Sequence, residues 1–174
     1  TGLSGTGKST LAHAVIGELQ REGQRPLLLD GDALRDALES LEEGAQHDRD
    51  RRARRAWRLA ALARLAAVQG VPVVVATISL FHATQYWNRA GLVPYCEVLL
   101  HASPDILRER NPGLYGSDGR EGPRDVVGVD ILAEFPKQPE LLLAQHFKME
   151  ELPRHTAQVM TLWHDLTKRS APNS

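Results

Sequence analysis

The sequence predicts a three-layer α/β fold, a parallel sheet with helices on both faces, and three observations carry that expectation. The chain opens on Gly2-Leu3-Ser4-Gly5-Thr6-Gly7-Lys8-Ser9-Thr10, which holds the complete G-x-x-x-x-G-K-[ST] spacing of a P-loop. Short apolar runs recur further on, continuous rather than alternating, as strands covered on both faces read. Amphipathic stretches fall between those runs, and alternating strand and helix implies parallel pairing through right-handed crossovers.

The elements follow in order. Residues 8–21 form a helix with Leu11, Val15 and Leu19 four apart, and Gly23 ends it. A P-loop follows a hydrophobic strand, and here the chain begins at the loop itself, so the first strand is expected to lie outside this fragment. Pro26-Leu27-Leu28-Leu29-Asp30 reads as a buried strand ending in an acid, and Val71-Pro72-Val73-Val74-Val75-Ala76 as another, with proline tolerated at its start. Tyr95 to Leu100 is a third and Leu141 to Ala144 a fourth. Helices are expected at about 31–41, 48–69, 82–90, 103–110 and 153–168. The stretch 111–139 is rich in Gly, Pro and charge and lacks periodicity, so it is expected to act as a lid within a single domain spanning 1–174.

Composition narrows the function classes. The net charge of −1 creates no global field for nucleic acid or an anionic membrane. Cys96 is the single cysteine, which excludes a disulfide framework and fits a reducing cytoplasm. No apolar run reaches membrane-spanning length. The seven histidines show no H-E-x-x-H or Cys/His clustering and read as structural or surface groups. Trp57, Trp87 and Trp163 fall in helical stretches and read as packing.

The P-loop carries the chemistry. Its glycines let the backbone form an anion nest, Lys8 reaches β- and γ-phosphates, Ser9 ligates Mg²⁺, and the following helix adds its positive dipole end. Residues 2–10 are thus the expected ATP site. Asp30-Gly31-Asp32 ends a strand beside it: one carboxylate can hold the metal's water shell and the second can accept the acceptor's proton. The plain alternative is a turn in which Asp32 caps the helix starting at Ala33. Arg35 lies on that helix's first turn, facing the same cleft. The run His47-Asp48-Arg49-Asp50-Arg51-Arg52-Ala53-Arg54-Arg55 opens a long helix. It reads mostly as a solvated face, with one or two arginines near its start able to clamp an anion. It lacks the aromatic interleaving of a nucleic-acid site. Ser79 is either an acceptor ligand or an ordinary strand-end serine. Arg110 enters the lid, where an arginine can stabilise the transferring phosphoryl group.

In order and spacing these pieces resemble the adenylylsulfate kinase family, which phosphorylates the 3′-hydroxyl of adenosine 5′-phosphosulfate with MgATP. The P-loop is similar almost letter for letter. Leu29-Asp30-Gly31-Asp32 is similar to its L-D-G-D, Asp48-Arg49 with Arg54-Arg55 to its D-R-x-E-N-x-R-R, and Ile78-Ser79 to its I-S-P. Arg110-x-Pro112-Gly113-Leu114-Tyr115, Gly128-Val129-Asp130 and Pro139-Glu140-Leu141 resemble R-D-P-K-G-L-Y, G-I-D and P-E-L. The resemblance implies a three-layer P-loop kinase fold, ATP on residues 2–10, and Mg²⁺ held through Ser9 and Asp30. It implies catalytic roles for Asp32, Lys8 and Arg110, and an acceptor site at Asp32, Arg35, Arg49, Arg52, Ile78 and Val126. Ser79 matches a serine sometimes given a covalent role, although in-line transfer needs no carrier.

The chain departs from the pattern where the acceptor sits. The family's E-N pair becomes Arg51-Arg52, the proline of I-S-P becomes Leu80, and two phenylalanines that sandwich the acceptor's adenine fall at Gly44 and Val126. Adenylylsulfate is the expected acceptor. The same chemistry on another small anionic nucleotide is one alternative, and a non-catalytic nucleotide-binding module is another. A homodimer or a fusion to a sulfate-activation enzyme is the expected assembly.

Overall fold

The computed structural model describes residues 1–39, 49–78, 81–116, 126–129 and 131–170, without the side chains of 36–39 and 49. Helix α1 (Lys8–Arg21) follows the P-loop and leads to strand β1 (Leu27–Asp30) and helix α2 (Gly31–Glu39). Helix α3 (Arg49–Ala67), strand β2 (Val73–Ala76), helix α4 (His82–Gly91) and strand β3 (Val98–His101) come next. The chain continues through α5 (Pro104–Arg110), the single turn α6 (Pro112–Tyr115), β4 (Leu141–Ala144) and α7 (Glu151–Ser170).

All pairing between these strands is parallel. β1 lies against β2 with Leu27 opposite Val73 and Asp30 opposite Ala76. β3 lies against β4 with Val98 opposite Leu141 and His101 opposite Ala144. The expected single sheet is therefore seen as two pairs. Thr1 touches both: its nitrogen donates to Val98 O (2.7 Å), its carbonyl accepts from Leu100 N (2.8 Å), and its hydroxyl donates to Thr77 O (3.1 Å). A cavity of about 610 Å³ runs between β2 and β3, lined mainly by apolar groups such as Val15, Val74, Val98 and Trp163.

Alternation along the strands sends side chains to two cores. Val73 and Val75 pack with Leu29, Leu34, Leu59 and Ala63 on the α3 side. Val74 packs on the opposite side, with Leu11, Val15 and Leu19 of α1, Leu100, Leu143, and Val159 and Met160 of α7. Helices thus cover both faces, as expected. Trp57 and Trp87 join α3 to α4 edge-to-face at 5.7 Å, with Arg64 over the Trp87 ring, which bears out their reading as packing groups.

Element ends moved for identifiable reasons. β2 begins after Pro72, which has no N–H to give, although its carbonyl accepts from Leu27 N. β3 begins at Val98 rather than Tyr95 because the Glu97 amide is taken by the Glu140 carboxylate (2.7 Å). α7 starts two residues before Pro153, which sits in the first turn, where N–H groups lack helical partners. The expected lid at 111–139 is not uniform. Residues 112–115 are helical, and Tyr115 donates its hydroxyl to Ser4 O of the P-loop (2.7 Å). Glu134 and Phe135 are instead tied to α4: the His82 amide and the Gln85 side chain donate to Glu134, and His82 Nε2 lies 2.9 Å from Phe135 O. That end of the stretch is anchored scaffold.

Candidate active site

The P-loop turns on two left-handed glycines, Gly5 (φ 78°) and Gly7 (φ 86°), and Gly7 caps α1. Gly2 sits so close to β3 that a Cβ there would meet Leu100 O at 2.4 Å, so no side chain fits. The Leu3 carbonyl organises the turn, accepting from the buried Thr6 hydroxyl (2.9 Å) and from Lys8 Nζ (2.8 Å). The first-turn amides of Lys8, Ser9 and Thr10 have no intrahelical acceptor. Thr10 has an exposed side chain. Burial lowers the Lys8 ammonium to about pKa 8, with the Asp32 and Asp30 charges pulling the other way.

Asp30 closes the far side of the loop. Its Oδ2 accepts from Ser9 Oγ (2.5 Å), and its Oδ1 accepts from the amides of Asp32 (2.9 Å) and Ala33 (3.4 Å). Burial pushes its carboxyl up, and these three hydrogen bonds outweigh it, holding the pKa below the ordinary value. The helix cap considered for Asp32 is thus supplied by Asp30, because α2 begins at Gly31, where the 31–41 helix was expected to start, and not at Ala33. Asp32 is left exposed, paired with Arg35 at 2.8 Å.

These groups line one cleft of about 120 Å³ that gathers Lys8, Ser9, Asp30, Asp32, Arg35, Arg52 and Ile78. Val126 is buried, and its neighbour Val127 lines the cleft in its place. Arg110 stacks on the Phe147 ring (3.6 Å), and Phe147 itself lies against the end of the P-loop, 3.7 Å from where a Gly7 Cβ would stand. Ser79 lies outside the described residues, as does the side chain of Arg49.

Thr77 and Arg55 line the cleft without having been given a site role from the sequence, and sequence reasoning missed Phe81 and Arg58 altogether. A signal existed for the arginines, since 52, 55 and 58 are three apart and share a helix ridge. For Phe147 the signal was its place just past β4, on the sheet edge where ligands bind. Among the described residues no group of three or more His, Cys, Asp or Glu could hold a metal, and no helix is long and apolar enough to cross a membrane.

Comparison with known proteins gives a consistent result. The profile of the adenylylsulphate kinase family matches residues 1–144. An adenylyl-sulfate kinase of Aeromonas salmonicida is 37% identical over 149 residues, spanning 82% of this chain and 73% of that protein. A cytidine diphosphoramidate kinase of Campylobacter jejuni is 36% identical over 138 residues, spanning 79% and 78%. The solved structure of Mycobacterium tuberculosis APS kinase CysC in complex with AMPPNP and APS aligns with a TM-score of 0.79 at 29% identity, over 94% of each chain.

Proposed function

Because the chain belongs to the adenylylsulphate kinase family, we propose that it transfers the γ-phosphoryl group of ATP to the 3′-hydroxyl of adenosine 5′-phosphosulfate. The observation that carries this reading is the single cleft in which Lys8, Ser9 and Asp30 on the phosphate side meet Asp32, Arg35, Arg52 and Ile78.

In this reading the loop amides and Lys8 hold the ATP phosphates. The 3′-oxygen attacks the γ-phosphorus in line as the bond to the β-bridging oxygen breaks, ADP departs, and the hydroxyl proton passes to an Asp32 oxygen. Arg35 orients that carboxylate through its 2.8 Å contact and faces the acceptor's anion. Arg110, beside the loop end, supplies positive charge to the transferring group after leaving Phe147. Ser9 and Asp30 are adjacent hard-oxygen donors and fit Mg²⁺, which is commonly held by one or two protein oxygens together with substrate phosphates. The ion, when bound, would neutralise charge on the β- and γ-oxygens. The segment around Tyr115 and Gly128, which already touches the P-loop at Ser4 and Leu3, excludes water.

Incubation with MgATP and adenosine 5′-phosphosulfate should yield ADP and the 3′-phosphorylated product by mass spectrometry. ADP release no faster than in the acceptor-free control would remove the named acceptor. A second reading keeps the chemistry and changes the acceptor to another small anionic nucleotide. Identity favours neither, since relatives named for different acceptors stand at 37% and 36%.

A further inference from the structure

We propose that Tyr115 is a positioning residue for the donor nucleotide: by holding the Ser4 carbonyl it keeps the Ser4–Gly5 peptide turned so that the Gly5 amide serves a phosphate oxygen. The proposal rests on the reading of residues 2–10 as the ATP site and holds for any acceptor.

Gly5 sits at φ 78°. Glycine is about as comfortable at negative φ as at positive, so local sequence leaves the Ser4–Gly5 peptide two orientations, related by turning its plane over. In a trans peptide the C=O and the N–H point to opposite sides, and this bond is trans. Fixing the Ser4 oxygen therefore fixes the direction of the Gly5 N–H. The preceding carbonyl is held from within the loop, since Leu3 O accepts from the Thr6 hydroxyl and from Lys8 Nζ. Ser4 O is held from outside it. Among the described residues its partner is the Tyr115 hydroxyl, at 2.7 Å and 111 positions along the chain.

The holder is itself firmly mounted. Asn111 joins α5 to α6: its amide donates to Leu107 O (2.9 Å), and its carbonyl accepts from the Leu114 and Tyr115 amides (3.0 and 3.1 Å). Leu107 is only 2% exposed, and its Cδ2 lies 3.9 Å from where a Gly5 Cβ would stand. One corner of the fold thus braces two adjacent loop residues, through Leu107 against Gly5 and through Tyr115 on Ser4. Burial raises the Tyr115 pKa above the ordinary value of a tyrosine, so the hydroxyl stays protonated and donating across neutral pH. Neither brace is encoded in the P-loop motif, which supplies the glycine that permits both orientations but not the group that chooses between them.

The test pairs Tyr115→Phe, which removes the hydroxyl and keeps the ring, with Gly5→Ala. An alanine Cβ at position 5 meets nothing closer than 3.9 Å, so that substitution acts through its unfavourable positive φ and not through a clash. Affinity for MgATP is read by calorimetry, at high nucleotide concentration for the weaker variants. Tyr115→Phe should weaken MgATP binding roughly fivefold, the scale of one hydrogen bond, with the acceptor KM unmoved and the melting temperature lowered by no more than about 4 °C. In Gly5→Ala the peptide has left the held orientation, so adding Tyr115→Phe should change MgATP affinity by less than about twofold. A hydrogen bond that only stabilises the fold would lower the melting temperature and leave the affinity of the folded protein as it was. Unchanged MgATP affinity in Tyr115→Phe, or full additivity in the double variant, would overturn the proposal. If MgATP affinity follows the expected pattern and nothing is transferred to adenosine 5′-phosphosulfate, the named acceptor falls and this proposal stands. Wild-type protein that binds no MgATP overturns both.

Discussion

Ser9 Oγ donates to Asp30 Oδ2 at 2.5 Å, fastening the first turn of the P-loop helix to the carboxyl end of β1. Asp30 also caps α2 through the amides of Asp32 and Ala33. One carboxylate thereby sets the spacing between the phosphate site and the helix that carries Asp32 and Arg35. Asp30→Ala should cost about 1 kcal/mol through the lost cap, seen as a lower melting temperature. It should also raise the Mg²⁺ concentration needed for half-maximal turnover by roughly tenfold. An unaltered Mg²⁺ titration would separate Asp30 from the metal.

Lys8 makes nucleotide binding pH-dependent. Its folded pKa is about 8, lowered by burial from the usual 10.5. Bound phosphate favours the charged form, so affinity is full below about pH 8 and falls as pH rises beyond it, by up to about tenfold per unit. In the ligand-free protein the unfolded chain holds this proton more tightly, so stability from this group rises between about pH 8 and 10.5. Calorimetric titration of MgATP across pH 7–9.5 should show the decline, and Lys8→Met should bind weakly with no such slope.

Asp32 is exposed and paired only loosely through Arg35, at 59% and 40% side-chain exposure, so little folding stability rides on the pair. Asp32→Asn should lower kcat by roughly 10²–10⁴ while the melting temperature stays within about 2 °C. Turnover at the wild-type rate in a contaminant-free preparation would remove it as the proton acceptor.

Glu151, only 4% exposed, holds the turn between β4 and α7 that presents Phe147 at a positive φ of 60°. Burial pushes its carboxyl up, but the His146 amide and ring and the Lys148 and Phe147 amides outweigh this and hold it at about pKa 2. The stabilisation is complete above the ordinary 4.5 and is lost as pH falls toward 2. Glu151→Gln should cost about 2 kcal/mol at pH 7, or roughly 4–8 °C in melting temperature, and the wild-type advantage should vanish near pH 2. A constant difference across pH 2–7 would show that shape, not charge, matters there.

The fold class was legible because the strands are apolar runs bounded by glycine, proline and acid, and the helices show clear periodicity. The two-pair arrangement was not, because strand adjacency depends on contacts such as Val98 with Leu141, far apart in sequence. The lid was read as one unit from its composition, and composition does not register that Glu134 finds the His82 amide.

At the phosphate end, local sequence was sufficient. Residues 2–10 are contiguous, and Gly5 and Gly7 permit the backbone twist that turns amides inward, so motif and geometry are nearly the same information. The acceptor end had to await folding, because its walls come from α2, α3, the end of β2 and the 126–129 segment, and helix phase decides which side chains face in. A two-residue difference in where α2 starts, Gly31 and not Ala33, moved the cap from Asp32 to Asp30, and burial took Val126 out of the cleft and left Val127 lining it. Backbone conformation is written in neighbouring residues, whereas the convergence of distant side chains is set by packing.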